Sequence, residues 1–279
     1  MELTAPSPAA SRRRPPARGS SGLRIALYVH CGLVFAFLML PLLVVFPISF
    51  SSSAYLRFPP PGYSLRWYVA YVNDPTWVDA TFRSIKVALS ATALATVLGT
   101  LLAFSIVRGS YPGKNVVNQI AAAPLIVPTI IYSIAVYGLF ASFKLIGSWQ
   151  GIALGHTVHA IPFVVLIVGA ALRTFDLSLE LAAMGLGASR LRAVWRVTVP
   201  QIRPALISAA FLAFISSFDE LVIAMFLGGS NMTLPKKMFD NIMLDIDPTI
   251  AAVSVLQIVL VSIVLIVSAR FGSGARPVT

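Results

Sequence analysis

The sequence predicts an all-α membrane protein with six transmembrane helices, on three observations. Of its 279 residues 57% are hydrophobic and only 11% charged, and the mean hydropathy is +0.85, too apolar for a soluble domain of this length. Apolar stretches recur at 25–50, 82–107, 116–143, 151–173, 203–228 and 251–270, each near the ~20 residues that cross ~30 Å of hydrocarbon as a helix. The basic residues lie mainly between and beside these stretches and distribute unevenly across them.

Residues 1–24 are rich in Pro, Ser and Arg (Arg12, Arg13, Arg14, Arg18, Arg24) and too poor in apolar side chains to pack a core, so they read as a disordered basic tail. The first stretch, Ile25 to Phe50, lacks a small-x-small cleavage site and reads as a retained anchor rather than a signal peptide. Six spans with the N-terminus inside give a membrane domain over 25–270, with the segment 174–202 and a short tail, 271–279, also in the cytoplasm. Fourteen of the 21 Lys and Arg then lie on the inner side, as the positive-inside rule requires. The net charge of +11 follows this pattern and forms no contiguous basic face with interleaved aromatics, so nucleic acid is not an expected partner and the lipid bilayer is. The single cysteine, Cys31, sits in an apolar run and offers neither an intrachain disulfide nor a metal framework.

Outside, 51–81 carries Pro59-Pro60-Pro61-Gly62, a turn cluster, then Ser64-Leu65-Arg66-Trp67-Tyr68, whose amphipathic aromatics predict a short interfacial helix. The outer segment 229–250 mixes Asp240, Asp245 and Asp247 with Met232, Met238, Phe239 and Met243, which suits either a surface helix or a solvated loop.

Enzyme chemistry finds little support. Gly109-Ser110-Tyr111-Pro112-Gly113-Lys114-Asn115 resembles a phosphate-binding loop but has one residue too few between its glycines and Asn115 where Ser or Thr is required. His156 and His159 share a face of the fourth span without a Cys, Asp or Glu beside them, which favours interhelical hydrogen bonding over a metal site. No cofactor or metal is expected, and the chain reads as a transport subunit.

Two features stand out. Asp219 and Glu220 are adjacent carboxylates within the fifth apolar stretch. Ionised groups at such depth are expensive unless paired or facing water, and successive helical positions lie ~100° apart, so one faces a pathway while the other caps or pairs. A pathway carboxylate favours a cationic solute, with Phe218, Tyr132 and Tyr137 available for cation-π contacts; the alternative is that both carboxylates lock helix packing. The second feature is the polar island 180–200, Glu-Leu-Ala-Ala-Met-Gly-Leu-Gly-Ala-Ser-Arg-Leu-Arg-Ala-Val-Trp-Arg-Val-Thr-Val-Pro. Leu177 to Leu186 suits a short helix, Gly187 its left-handed ending, Ser189 the cap of a second helix through Val197, and Pro200 a break. Small residues permit close approach of another surface, so the island reads as a docking element for a soluble partner.

The island resembles the cytoplasmic signature of the permease subunits of type I ABC importers: Glu-Ala-Ala, three residues, Gly, nine residues, Ile-x-Leu-Pro. Ala182, Ala183, Gly187, Val197, Val199 and Pro200 fall in register, while Leu181 takes the acidic position and Glu180 stands one residue earlier. The resemblance spans about 25–270. Ser217-Phe218-Asp219-Glu220, Asp247 to Ser254 and the outer stretch Pro59-Pro60-x-Gly62-Tyr63-Ser64-Leu65-Arg66-Trp67-Tyr68 look like the spermidine/putrescine branch.

That resemblance implies the six-helix permease fold of an ATP-driven importer in the inner membrane, with both termini cytoplasmic and ATP hydrolysis on a separate chain. It implies a second permease subunit, two cytoplasmic ATPases and an external solute-binding protein as partners. Glu180, Ala182, Ala183, Gly187, Ala188, Val197 and Pro200 then belong to the ATPase-coupling segment, and polyamines are the expected cargo. Ferric ion, opines or aminophosphonates are alternative cargoes, and an ion-coupled secondary transporter or channel is the alternative class, although nothing in that class accounts for the island. A structural or signalling membrane protein ranks last.

Overall fold

A computed structural model of the chain describes residues 21–244 and 247–272. The expected basic tail, apart from 21–24, and the expected C-terminal tail beyond Gly272 lie outside the described residues. Residues up to Val45 form one compact unit and those from Phe46 onward another. In the first, helix α1 (Ser21–Ser49) begins a few residues before the boundary read from composition. Its apolar side chains, among them Tyr28, Phe35, Phe37 and Leu43, are exposed all round, the pattern of a helix whose solvent is lipid.

In the second unit the loop after α1 is pinned by an antiparallel bridge between Ser51 and Tyr63 and leads into the expected short helix α2 (Arg66–Asn73). Trp67 on α2 is buried rather than lying free at the interface. Helix α3 (Pro75–Arg108) starts where Asp74 accepts from the Thr76 amide at 2.8 Å, with Pro75 at its first position and no amide hydrogen to lose there. Its 34 residues make it ~51 Å long, so it projects beyond the hydrocarbon.

Helices α3 and α6 (Trp149–Thr174) form the most extensive pairing of the molecule. Ala88, Ala91, Ala95, Gly99 and Ala103 are all buried on one ridge of α3; small residues at such spacing let two helix backbones approach closely in a membrane. Val164, Val168 and Leu172 of α6 pack against Ala95 and Ala103, and Ala209 and Ala213 of α10 (Arg203–Phe218) complete this core. The fit at Gly99 is tight. A Cβ there meets Val164 Cβ at 2.7 Å and the Ile161 carbonyl oxygen at 3.3 Å. Gly99→Val is therefore expected to destabilise the chain by about 1–3 kcal/mol through overpacking, read as a lower thermal midpoint in detergent; an unchanged midpoint would mean that α3 and α6 sit further apart than described.

Two of the six apolar stretches are not single helices. The third divides into α4 (Lys114–Ile126) and α5 (Thr129–Ser142), bent by 110°. Pro128 is the cause: the residue before a proline is pushed out of the helical region, and Val127 is extended at φ −74°, ψ 128°. The fifth ends as α10 at Phe218, unwinds over 219–221 and resumes as α11 (Val222–Leu227). Among the described residues four helices, α1, α3, α6 and α13 (Thr249–Gly272), are individually long and apolar enough to cross a membrane, and up to six crossings result if each of two bent helix pairs counts as one. In the segment 229–250, the choice between helix and loop falls to a helix, α12 (Leu234–Leu244), whose Leu234 amide donates to Ser84 Oγ on α3 at 2.7 Å.

Candidate functional site

On the surface segment, α7 (Leu177–Gly185) is capped by Asp176, whose carboxylate accepts from the Ser178 amide at 2.9 Å. The Ser178 backbone and then side-chain hydrogen bonds hold the Asp176 carboxyl below its ordinary range, so the cap stays charged at neutral pH, and its stabilising effect fades only in acid as pH falls through that lowered value. The end of α7 explains the spacing of the small residues. The Ala188 amide donates to the Ala183 carbonyl at 3.1 Å and the Gly187 amide to the Met184 carbonyl at 2.9 Å, the paired bonds of a Schellman turn, with Gly187 in the left-handed position at φ 91°. Ala183, Gly187 and Ala188 thus define one turn.

Ser189 then caps α8 (Arg190–Ala193) by accepting from the Arg192 amide at 3.4 Å. A π-helical turn, Val194–Thr198, and a short α9 (Val199–Gln201) continue the same axis. Pro200 accordingly does not end the helix. The wide turn just ahead of it relieves the place where a proline lacks its amide and crowds the preceding carbonyl, and the 71° bend comes between Gln201 and Arg203. Along this segment Leu181 is 62% and Leu186 91% exposed, with Leu191 and Trp195 also exposed and Ala182 and Gly187 on the surface beside them. Val197 is half-buried.

Glu180, the one acid of 177–201, is 5% exposed. Its Oε2 accepts from Arg108 Nη1 at 2.5 Å and from Thr198 Oγ1 at 2.8 Å. Removing one partner of a buried ion pair strands the other charge and costs ~3–5 kcal/mol.

The two membrane carboxylates part company at the break in the fifth stretch. Glu220 turns inward, and its Oε2 and Oε1 accept from the amides of Ile223 at 2.7 Å and Val222 at 3.2 Å. These are the free donors at the start of α11, where a negative charge is favoured. His156 on α6 lies behind it, Nε2 at 3.7 Å from Glu220 Oε2, and shares a hydrogen bond of 2.8 Å through Nδ1 with Ser217 Oγ. Asp219 is exposed and is touched by Gln257 Nε2 of α13 at 3.3 Å.

Tyr132 donates to the Gly155 carbonyl at 2.8 Å, with its ring 6.1 Å from that of His159. Phe218 is fully buried and stacked on Phe214 with centroids 5.6 Å apart, which makes it a packing residue rather than the cation-binding face expected of it. Tyr137 is exposed on α5, with no aromatic or hydrogen-bonded tie to the carboxylates. The bond from His156 on α6 to Ser217 on α10 is the interhelical hydrogen bonding expected of that histidine, whereas the sequence does not point to Arg108 and Thr198 as partners of Glu180. On sequence Arg108 counts only toward the charge asymmetry of the loops, since its acidic partner lies 72 residues away.

The profile of the family described as binding-protein-dependent transport system inner membrane component matches residues 95–273, which takes in α6, the surface segment, the break and α13. The chain belongs to that family. Among relatives, the putrescine transport system permease protein PotI of Escherichia coli K12 is 35% identical over 238 residues, covering 82% of this chain and 84% of its own length. The spermidine/putrescine transport system permease protein PotC of Haemophilus influenzae is 30% identical over 237 residues, covering 84% and 91%. A solved bacterial ABC transporter involved in the import of the acidic polysaccharide alginate superposes with a TM-score of 0.69 at 20% identity, covering 91% of this chain and 98% of its own. The family member is a multi-pass inner-membrane transport component and not itself an enzyme.

Proposed function

We propose that this chain is the permease subunit of an ATP-driven importer for small organic cations of the polyamine class. It pairs with a second permease, takes solute from an external binding protein and is driven by two cytoplasmic ATPases. Its termini face the cytoplasm, with tails at 1–24 and 271–279 flanking a permease domain over 25–270. The observation that carries the reading is the surface segment 177–201. Its apolar side chains Leu181, Leu186 and Leu191 remain exposed while Glu180 is turned inward, so it offers a partner a surface of apolar and small residues beside the exposed Arg190, Arg192 and Arg196. Ala182, Ala183, Gly187, Ala188, Val197 and Pro200 shape that surface.

Cargo class rests on the polyamine relatives together with Asp219. An exposed carboxylate about 24 Å along α10 from Arg203 needs water or another subunit to face, and a pathway between two permeases supplies both. Gln257 and Tyr132 flank that pathway in this reading. With the complex in liposomes, binding protein loaded with putrescine or spermidine is expected to raise ATP hydrolysis and drive uptake. Solute accumulation by this chain alone would overturn the importer reading. Stimulation by a ferric-ion, opine or aminophosphonate carrier, with none by polyamine, would overturn the cargo.

A further inference from the structure

One carboxylate oxygen ties three elements together at the inner end of the molecule. Glu180 lies in the first turn of α7, Arg108 is the last residue of α3, and Thr198 closes the π-helical turn; Glu180 Oε2 accepts from both of the latter. The Arg108 guanidinium is held over the rings of Phe104, at 5.0 Å, and Phe175, at 5.3 Å. Its Nε and Nη2 are buried without an acceptor, so its placement depends on the single contact to Glu180 and on those two rings. A cavity of about 480 Å³ lies alongside, lined in part by Arg108, Glu180, Arg173 and Arg190.

This arrangement is more than a loop fastening. The α7 and α8 helices carry exposed apolar side chains; on their inner face, the contact of Glu180 with Arg108 joins α7 to α3, and its contact with Thr198 ties α7 to the π-helical turn. Helix α3 is in turn the longest helix and is packed along α6 and α10. A push on the surface segment therefore reaches the membrane core by two routes: along the chain through the 71° bend into α10, and sideways through Glu180 and Arg108 into α3. The chain route turns sharply at Ile202, where the helix is interrupted. The sideways route is a short, buried, charge-assisted contact, the kind least able to lengthen without breaking.

We infer that Arg108 and Glu180 are positioning residues that make the surface segment and α3 move as one body, so that displacement of the segment by an ATPase is delivered to the α3–α6–α10 core. The inference rests on reading 177–201 as the ATPase-docking segment. It assigns Glu180 to this internal strut and leaves Leu181 and Leu186 to face the ATPase.

The test uses the whole complex. The native Cys31 is replaced by serine, and spin labels are placed at Leu186 on the surface segment and Leu101 on α3, both exposed. Their distance is expected to be the same in nucleotide-free and ATP-trapped complexes. In Glu180→Gln and Arg108→Gln it is expected to differ between the two states, with the solute moved per ATP hydrolysed falling about tenfold, within the usual range of couplings between sites. Arg108→Lys, which keeps the charge, is expected to recover part of that ratio.

A distance that changes between states in the wild-type complex overturns the strut, whatever the variants do. So does an unchanged ratio of solute to ATP in both glutamine variants; a purely structural contact lowers the amount of assembled complex and leaves that ratio alone. If no ATPase co-purifies with the wild-type chain, the docking reading itself fails, which is a different result from either of these.

Discussion

Glu220→Ala is expected to cost the chain its fold around the membrane break, whereas Asp219→Asn, one residue away, is expected to leave the fold intact and impair transport. Glu220 supplies the acceptors for the Ile223 and Val222 amides at the start of α11, and in a membrane those donors find no water to replace it. Each stranded buried donor costs ~1–3 kcal/mol, so alanine removes about 2–6 kcal/mol from a domain whose whole stability is of order ten. Glutamine keeps a carbonyl for the stronger of the two bonds and is expected to lose much less. The measurement is the yield of monodisperse complex in detergent, together with its thermal midpoint. An alanine variant as stable as wild type would mean that α11 finds other acceptors and that Glu220 is not its cap.

Asp219 touches Gln257 at 3.3 Å and is otherwise exposed, so Asp219→Asn removes a charge and little packing. A carboxylate near a passing ammonium contributes of order a few kcal/mol at an intermediate dielectric, less what water screens, and a loss of about tenfold in polyamine uptake is expected at unchanged complex yield. Unchanged uptake would take Asp219 off the pathway. The two readouts separate neighbouring carboxylates that share a sequence motif and have opposite surroundings, one buried and one exposed.

That division could not be read from the chain alone, because it depends on where the helix stops. Hydropathy sees 203–228 as one apolar stretch, and on a continuous helix Asp219 and Glu220 differ only by ~100° of rotation. The local warning was the run Ser216-Ser217-Phe218-Asp219, whose short polar side chains compete for backbone hydrogen bonds. The break at Val127–Pro128 carried a plainer warning in the proline itself. The surface turn was the most legible part, since Ala183, Gly187 and Ala188 are local in sequence and their spacing is that of one backbone turn. Arg108 lies 72 residues from Glu180, and nothing in the periodicity of α3 distinguishes it from a charge that merely marks the inner side. Phe218 was misread for a related reason: an aromatic next to a carboxylate suggests a cation site, but its ring direction is set by Phe214 four residues back, on which it stacks.

Gly187→Val is expected to leave the chain inserted and assembled while uncoupling uptake from ATP hydrolysis by about tenfold or more. The position has open space, since a Cβ there meets nothing within 4 Å; the effect is therefore one of backbone rather than of collision. At φ 91° an L-residue pays ~1–2 kcal/mol, and a β-branched one is a genuine outlier there. The turn can relieve that strain by giving up the Gly187–Met184 and Ala188–Ala183 bonds, which swings Leu186 and the start of α8 away from their present relation to Leu181. The strain stays local because Asp176 still caps α7 and Ser189 still caps α8, so membrane yield is expected to hold. Two controls isolate the cause. Gly187→Asn, a residue that tolerates the left-handed region, is expected to retain most of the coupling, and Gly185→Ala, two residues earlier with a helical backbone and equally open surroundings, is expected to be neutral. If valine and asparagine lose coupling equally, the ATPase needs the absence of a side chain at 187 for contact, and the turn geometry is not the determinant. If valine couples normally, the segment is not where the ATPase stroke enters the membrane domain.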